Sequence, residues 1–169
     1  DPNGGSVPRP ATVINPHPAW LTIPGTQWIS ASQYGVNGTY VYQYCFCLDP
    51  RFQGATLNLD LRADDYATVW LNGVQVGATP TSYAFNTPQP THVFVTNQLL
   101  FRPCENCIEI RVTNSGGVVT GLNVAGTISA IDGLCCEDRQ YSCCNPDGFC
   151  IDLPPGVTAQ SLLSTSAES

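Results

Sequence analysis

The 169-residue chain contains no lysine and no methionine, and only two histidines. Without lysine, no Lys–Asn isopeptide bond can join it to a neighbour. Charged residues make up 11 % of the chain, against about 25 % in an average soluble protein. All six cations are arginines and face thirteen acids, for a net charge of −7. Neutralising nucleic-acid phosphates takes a basic face, and anionic membrane surfaces attract basic ones, so neither partner is expected. No apolar run approaches the roughly 18 residues that span a bilayer, which argues against membrane insertion. The common signatures of catalysis are missing too: no G-x-S-x-G elbow, no H-E-x-x-H and no glycine-rich phosphate loop. His17 and His92 are too isolated to form a relay. Asp64/Asp65 and Glu105/Glu109 are pairs of the kind used in glycoside hydrolysis. They read more simply as a turn-forming acidic pair and a solvent-facing strand position. The chain is not expected to be an enzyme.

Nine cysteines are present, at 45, 47, 104, 107, 135, 136, 143, 144 and 150. Cys104-Glu-Asn-Cys107 has the spacing of a zinc knuckle, but C-x-C and C-C elsewhere fit no zinc pattern and neither histidine lies near a cluster. Disulfides in an oxidising compartment account for them better, giving a secreted, extracellular or cell-surface protein. The opening DPNGGSVPRP has neither a basic nor an apolar leader region and reads as a mature N-terminus. Because nine is odd, at least one thiol is free or bonded to another chain. No metal or other cofactor is expected. A weak calcium candidate is Asp60, Asp64 and Asp65, short of the six to eight oxygens calcium takes.

The length suits one buried core. Residues 1–18 form an extended arm, with proline at 2, 8, 10, 16 and 18 and a β-prone piece, Thr12-Val-Ile14. Proline at that density forbids helix. Residues 19–131 read as strands by period-two alternation. Tyr40, Tyr42, Tyr44, Phe46 and Leu48 share one face; Leu57, Leu59 and Leu61, and Ile108, Ile110 and Val112, form inward rows. Asn72-Gly73 between Ala67–Leu71 and Val74–Val76 is a strong hairpin signal. Eight or nine such strands, with no helical period, predict an all-β antiparallel jelly-roll sandwich. Residues 132–169 carry a disulfide-rich segment and a second extended arm.

The stretch Ala63-Asp-Asp-Tyr-Ala-Thr-Val-Trp-Leu-Asn-Gly-Val-Gln-Val-Gly77 resembles the signature hairpin of galactose-binding-domain-like β-sandwiches, including sugar-binding domains attached to glycoside hydrolases. Leu57–Leu61 before it and Ile108–Asn114 after it fit the same pattern, and the resemblance spans residues 38–131. It implies a jelly-roll sandwich and, for function, sugar binding. An exposed aromatic platform with a few polar groups would carry that: Trp20, Trp28 and Trp70, with Asp64, Asp65 and Asn72. Alternation turns Trp70 away from the core, where a glycan, a neighbouring subunit or the chain's own arm could cover it.

The residues also point to assembly. Two β-capable arms, low charge and an odd cysteine count suit a self-assembling structural protein of an extracellular filament or surface layer, built from copies of itself. In that reading Thr12, Val13 and Ile14 pair with a neighbour's open sheet edge, and cysteines link subunits. An extracellular carbohydrate-binding or adhesive module is the alternative. Asn37-Gly-Thr39 is a glycosylation sequon on an expected loop.

Overall fold

The structure, a computed structural model, describes residues 8–49 and 51–131. The expectations for Cys135, Cys136, Cys143, Cys144 and Cys150, and for the second arm, lie outside them. Among the described residues the regular structure is nine strands and one 3-10 turn. The strands are β1 (Thr12–Val13), β2 (Ile29–Ser30), β3 (Gly38–Leu48), β4 (Gln53–Asp64), β5 (Tyr66–Leu71), β6 (Val74–Ala78), β7 (Thr91–Val95), β8 (Cys104–Asn114) and β9 (Gly121–Ile131). One sheet has the order β1-β2-β9-β4-β7 and the other β3-β8-β5-β6. Every pairing described is antiparallel. This is the expected jelly-roll-like sandwich.

The alternating rows explain why the sheets stack. Leu57, Leu59 and Leu61 of β4 meet Ile108, Ile110 and Val112 of β8 with Val69 and Leu71 of β5 in one buried cluster. Each such side chain contributes about 1.5–3 kcal/mol on full burial. Tyr40 and Leu48 close the row on β3, with Tyr42, Tyr44 and Phe46 half-buried between them. The turn between β5 and β6 follows from its sequence: Asn72 and Gly73 have φ of 52° and 84°, and two-residue hairpin turns need positive φ. Asn72 is held further by its side chain, which donates to Leu100 O and Asn106 Oδ1 and accepts from the Cys107 N–H.

On the outer side of the second sheet, Cys45 and Cys107 stand directly opposite each other and form a disulfide across a sequence separation of 62. Closing a loop of that size contributes about 4 kcal/mol in the chain-entropy account. Cys47 and Cys104 are disulfide-bonded as well. The zinc reading of Cys104 and Cys107 is thereby replaced by disulfide chemistry.

The described part of the N-terminal arm packs on its own chain. β1 pairs with β2 of the same chain, Thr12 opposite Ser30 and Val13 opposite Ile29. Ile14 is buried against Trp20 and Trp28, and its N–H bonds to the Trp28 carbonyl. Asn123 of β9 then ties down the chain that follows, accepting from the Ile23 N–H and donating to Thr26 Oγ1 and the Gln27 carbonyl. Thr12 and Val13 therefore form the edge strand of their own sheet, with Ile14 buried beside them. The physical reason is the Ile14–Trp20–Trp28 cluster, which gains more by covering its own β9 than by extending into solvent.

Candidate functional site

The sandwich has two poles. Gly38 pairs with Asn114, and Asp64 with Gly121, at one; Leu48 pairs with Cys104, and Gln53 with Ile131, at the other. Four connections converge on the first pole: residues 31–37, the Asp64–Asp65 junction between β4 and β5, residues 79–90, and residues 115–120. Hydrogen bonds knit them together. The Asp65 carboxylate accepts from the N–H and the hydroxyl of Ser115, and the Asp65 carbonyl accepts from the Ala84 N–H. Gly35 N–H donates to the Val118 carbonyl, Asn114 donates to the Val36 carbonyl, and Thr120 Oγ1 donates to the Asp64 carbonyl.

The Asp64–Asp65 peptide is cis, and the two carboxyls differ sharply. Asp64 is buried, and its pKa is pushed up to about 7, first by that burial and then by the hydrogen bond to Asp65 and its charge. Asp65 is also pushed up by burial, but hydrogen bonds from Ser115, Asp64 and Gly116 outweigh this and hold it below the ordinary carboxylate range. Near pH 6 the pair therefore shares one proton and presents one firm negative charge. The proton lies between the two carboxyls, and the charge rests on Asp65.

Two exposed aromatic side chains lie on loops of the same pole. Tyr83 is 64 % exposed, one residue before the Ala84 that bonds to Asp65, and Tyr34 is 73 % exposed beside Gly35. Val118 is 65 % exposed, and its carbonyl accepts from the Gly35 N–H. The Tyr83 ring meets Phe85 edge-on at 5.8 Å, and Phe85 packs on the Trp20–Trp28 cluster. Arg62, buried on β4, donates to the Thr87 and Pro88 carbonyls and so pins the loop that carries Tyr83. Asn37, the sequon residue, stands at this pole too, with its side chain against Gly117.

The other sequence candidates lie elsewhere. Trp20 and Trp28 are buried, with ring centroids 4.4 Å apart, so they are core and not platform. Trp70 does face outward, as alternation requires, but the Arg111 guanidinium sits 4.3 Å over its ring and its N–H donates to Thr68. Glu109 in turn holds Arg111. Trp70 is also five residues along from Asp65, about 17 Å at strand rise, and Asn72 is spent in the hairpin. The structure thus brings together Asp64 and Asp65 and separates Trp70 and Asn72 from them. Asp60 is apart as well, on the outer side of its sheet and paired with His92 at 2.9 Å. Among the described residues no group of three or more His, Cys, Asp or Glu is placed to hold a metal ion. The calcium triad is not assembled.

Sequence reasoning missed Tyr34, Tyr83, Ser115 and Val118, because strand periodicity is silent about loops. A usable signal was present: Ser32-Gln-Tyr34 and Thr81-Ser-Tyr83 place an aromatic among turn-forming residues, where no core position is available to it.

No protein-family model and no curated protein matches the chain. Among solved structures it is similar to the apo form of a lectin from Pleurotus ostreatus, with 25 % identity over 69 % of this chain and a TM-score of 0.51. The chain spans 32 % of that lectin's length. Weaker likenesses are to the family GH78 rhamnosidase of Bacillus sp. GL1 (19 % identity, 68 % of this chain, 13 % of that one, TM-score 0.46) and to a family 35 carbohydrate-binding module from an environmental isolate (16 %, 72 %, 88 %, 0.41). The fold is that of the galactose-binding-domain-like β-sandwiches.

Proposed function

We propose that this chain is an extracellular, non-catalytic carbohydrate-binding module whose sugar site is the loop pole around Asp64 and Asp65. The observation that carries the reading is the pairing of solvent-open Tyr83 and Tyr34 with a half-protonated acid pair at one end of the sandwich. Likeness to a lectin supports it. A pyranose has a face of C–H groups that packs on an aromatic ring and a rim of hydroxyls that needs directed acceptors and donors. Tyr83, anchored through Phe85 and the Arg62-pinned loop, is the platform. The Asp65 carboxylate takes the hydroxyls, with the buried Asp64 carboxyl bonded to it and Ser115 and Asn37 at the rim. Two carboxylates fall short of a calcium cage, so titrations are run both with calcium and with chelator to read any contribution from a cation.

The test is a glycan panel followed by calorimetric titration of the best binder. Tyr83→Ala should weaken binding about tenfold or more, since losing about 1.4 kcal/mol is a factor of ten. Asp65→Asn should do at least as much, and Trp70→Ala should leave affinity unchanged. Absence of saturable binding across the panel, or loss with Trp70→Ala alone, would sink the assignment.

A further inference from the structure

Alternation along β4 and β7 sends one row of side chains to the core and the next to the outside. Leu57, Leu59, Val93 and Val95 fill the inner rows. The outer rows fall into register across three strands. His92 stands opposite Asp60, and Asp60 opposite Ala125; Phe94 stands opposite Asn58, and Asn58 opposite Thr127. One rung further Thr56 faces Ser129, and their hydroxyls share a hydrogen bond of 2.6 Å. Four residues of strand and two strand spacings give this patch about 14 Å by 10 Å.

The rung on its other side, Arg62 opposite Asn123, is covered. Arg62 donates to the Thr87 and Pro88 carbonyls, and Asn123 donates to Thr26 Oγ1 and the Gln27 carbonyl. Those two segments end the open patch with a step on the side of the loop pole. Phe94 itself is 59 % exposed. β7 is the last strand of its sheet among the described residues, so Phe94 has a cross-strand neighbour on one side only. Beside it lies His92, with ring centroids 6.4 Å apart and planes 21° from parallel. Asp60 fixes that imidazole through a hydrogen bond of 2.9 Å.

We propose that this face is a second carbohydrate site, separate from the loop pole, which takes a linear, uncharged polysaccharide laid over Phe94 and His92. The rings meet the C–H face of a pyranose, and Asn58, Thr127 and Asp60 supply the directed polar groups around them. Charge selects a neutral chain. The ionisable groups of the patch are Asp60 and His92, which pair with each other, and the net charge of −7 repels an acidic polymer. Size selects against a protein partner. The patch covers about 140 Å², against about 800 Å² on each side of a stable protein complex, and Phe94 is its one large apolar side chain. Shape selects a chain over a single sugar. Small ligands bind tightly where a cleft buries most of their surface; on an open face each ring gains little, and affinity accumulates over consecutive rings.

The test is affinity electrophoresis of the whole protein in native gels, each cast with one soluble polysaccharide: a β-glucan, a xylan, a glucomannan, or polygalacturonate as the acidic counterpart. At least one neutral polymer should retard the protein. Phe94→Ala should weaken that retardation tenfold or more and Asn58→Ala severalfold, whereas Phe94→Trp should retain it. Tyr83→Ala should leave it unchanged, because the loop pole is a different surface. Circular dichroism checks that the variants are folded. No retardation by any neutral polymer, retardation by polygalacturonate alone, or retardation that survives Phe94→Ala would each overturn the proposal. Loss with Tyr83→Ala alone would leave the loop pole as the site and overturn this one, so the two readings fail separately. A dimer in sedimentation that Phe94→Ala dissociates would give the face to a second copy and overturn the proposal as well.

Discussion

Replacing Asp64 by Asn should make the protein more stable at neutral and alkaline pH, and the size of the gain follows from the site. Asp64 titrates near 3.8 in an open chain and at about 7 when folded, because burial and the neighbouring Asp65 charge penalise its ionised form. Below about pH 4 both states hold the proton. Between about pH 4 and 7 only the folded state holds it, so raising the pH through that window removes stability; above it the penalty is constant. At about 1.4 kcal/mol per pH unit the window amounts to as much as about 4 kcal/mol. Asp65 and Asp49 are shifted the other way, so the stability that they contribute is lost only as the pH falls below the ordinary carboxylate range, outside this window. An Asn at 64 carries a permanent N–H donor for the Asp65 carboxylate and no charge, so it mimics the protonated acid at every pH. Urea unfolding of both proteins from pH 4 to pH 9 gives two curves whose difference isolates this one group. The curves should coincide near pH 4.5 and diverge to a few kcal/mol in favour of the variant by pH 8. Parallel curves, or a variant that is less stable at pH 8, would refute the account of the acid pair.

Two further expectations concern the scaffold that positions the loops. A methyl group at Gly121 would meet Trp28 at 3.0 Å and Trp20 at 3.1 Å, so Gly121→Ala should cost about 1–3 kcal/mol by overpacking. Near-ultraviolet circular dichroism should show the loss of tryptophan asymmetry, and an unchanged spectrum would count against the arm's docking. Asn72→Ala removes three side-chain hydrogen bonds and places alanine at a φ of 52°. A loss of about 2–4 kcal/mol in thermal unfolding is expected, with glycan affinity unchanged because the turn lies at the far pole.

The body of the fold was legible because most of each long strand alternates between a buried and a more open face. That condition writes the structure into the sequence as alternation, and Tyr40–Leu48, Leu57–Leu61 and Ile108–Val112 each read correctly, down to which residues point inward. The Asn72-Gly73 turn was legible because its backbone needs residues that tolerate positive φ. The intrachain pairing of the N-terminal arm was not legible, for a related reason. Thr12-Val-Ile14 looks like a strand in search of an edge, and it is one, but the edge belongs to its own sheet. What decides between self and neighbour is whether an apolar pocket lies within reach. The pocket is made by Trp20, Trp28 and a glycine at 121, residues far apart in sequence that no local pattern connects.

The candidate site was half legible, and the missing half shows why. Asp64 and Asp65 are adjacent and stay together in any fold, so a chemical signal in the sequence survives. Trp70 is near them in sequence, and a tryptophan pointing out of a sheet invites a functional reading. Yet a strand converts five residues of separation into about 17 Å, and two positions along the adjacent strand β8 supply its cover: Arg111 over the ring and Glu109 holding Arg111. Cross-strand partners neutralise an exposed aromatic in the middle of a sheet, because every strand residue has neighbours on both sides. A loop aromatic has no such neighbours. Tyr83 and Tyr34 stay open for that reason, and the Arg62 contacts to the Thr87 and Pro88 carbonyls give the Tyr83 loop a fixed backing without covering the ring. In a sandwich of this kind, then, exposed aromatics persist at the pole where several loops are pinned to one another. The outer face of the β3-β8-β5-β6 sheet is left to a disulfide and a stacked arginine.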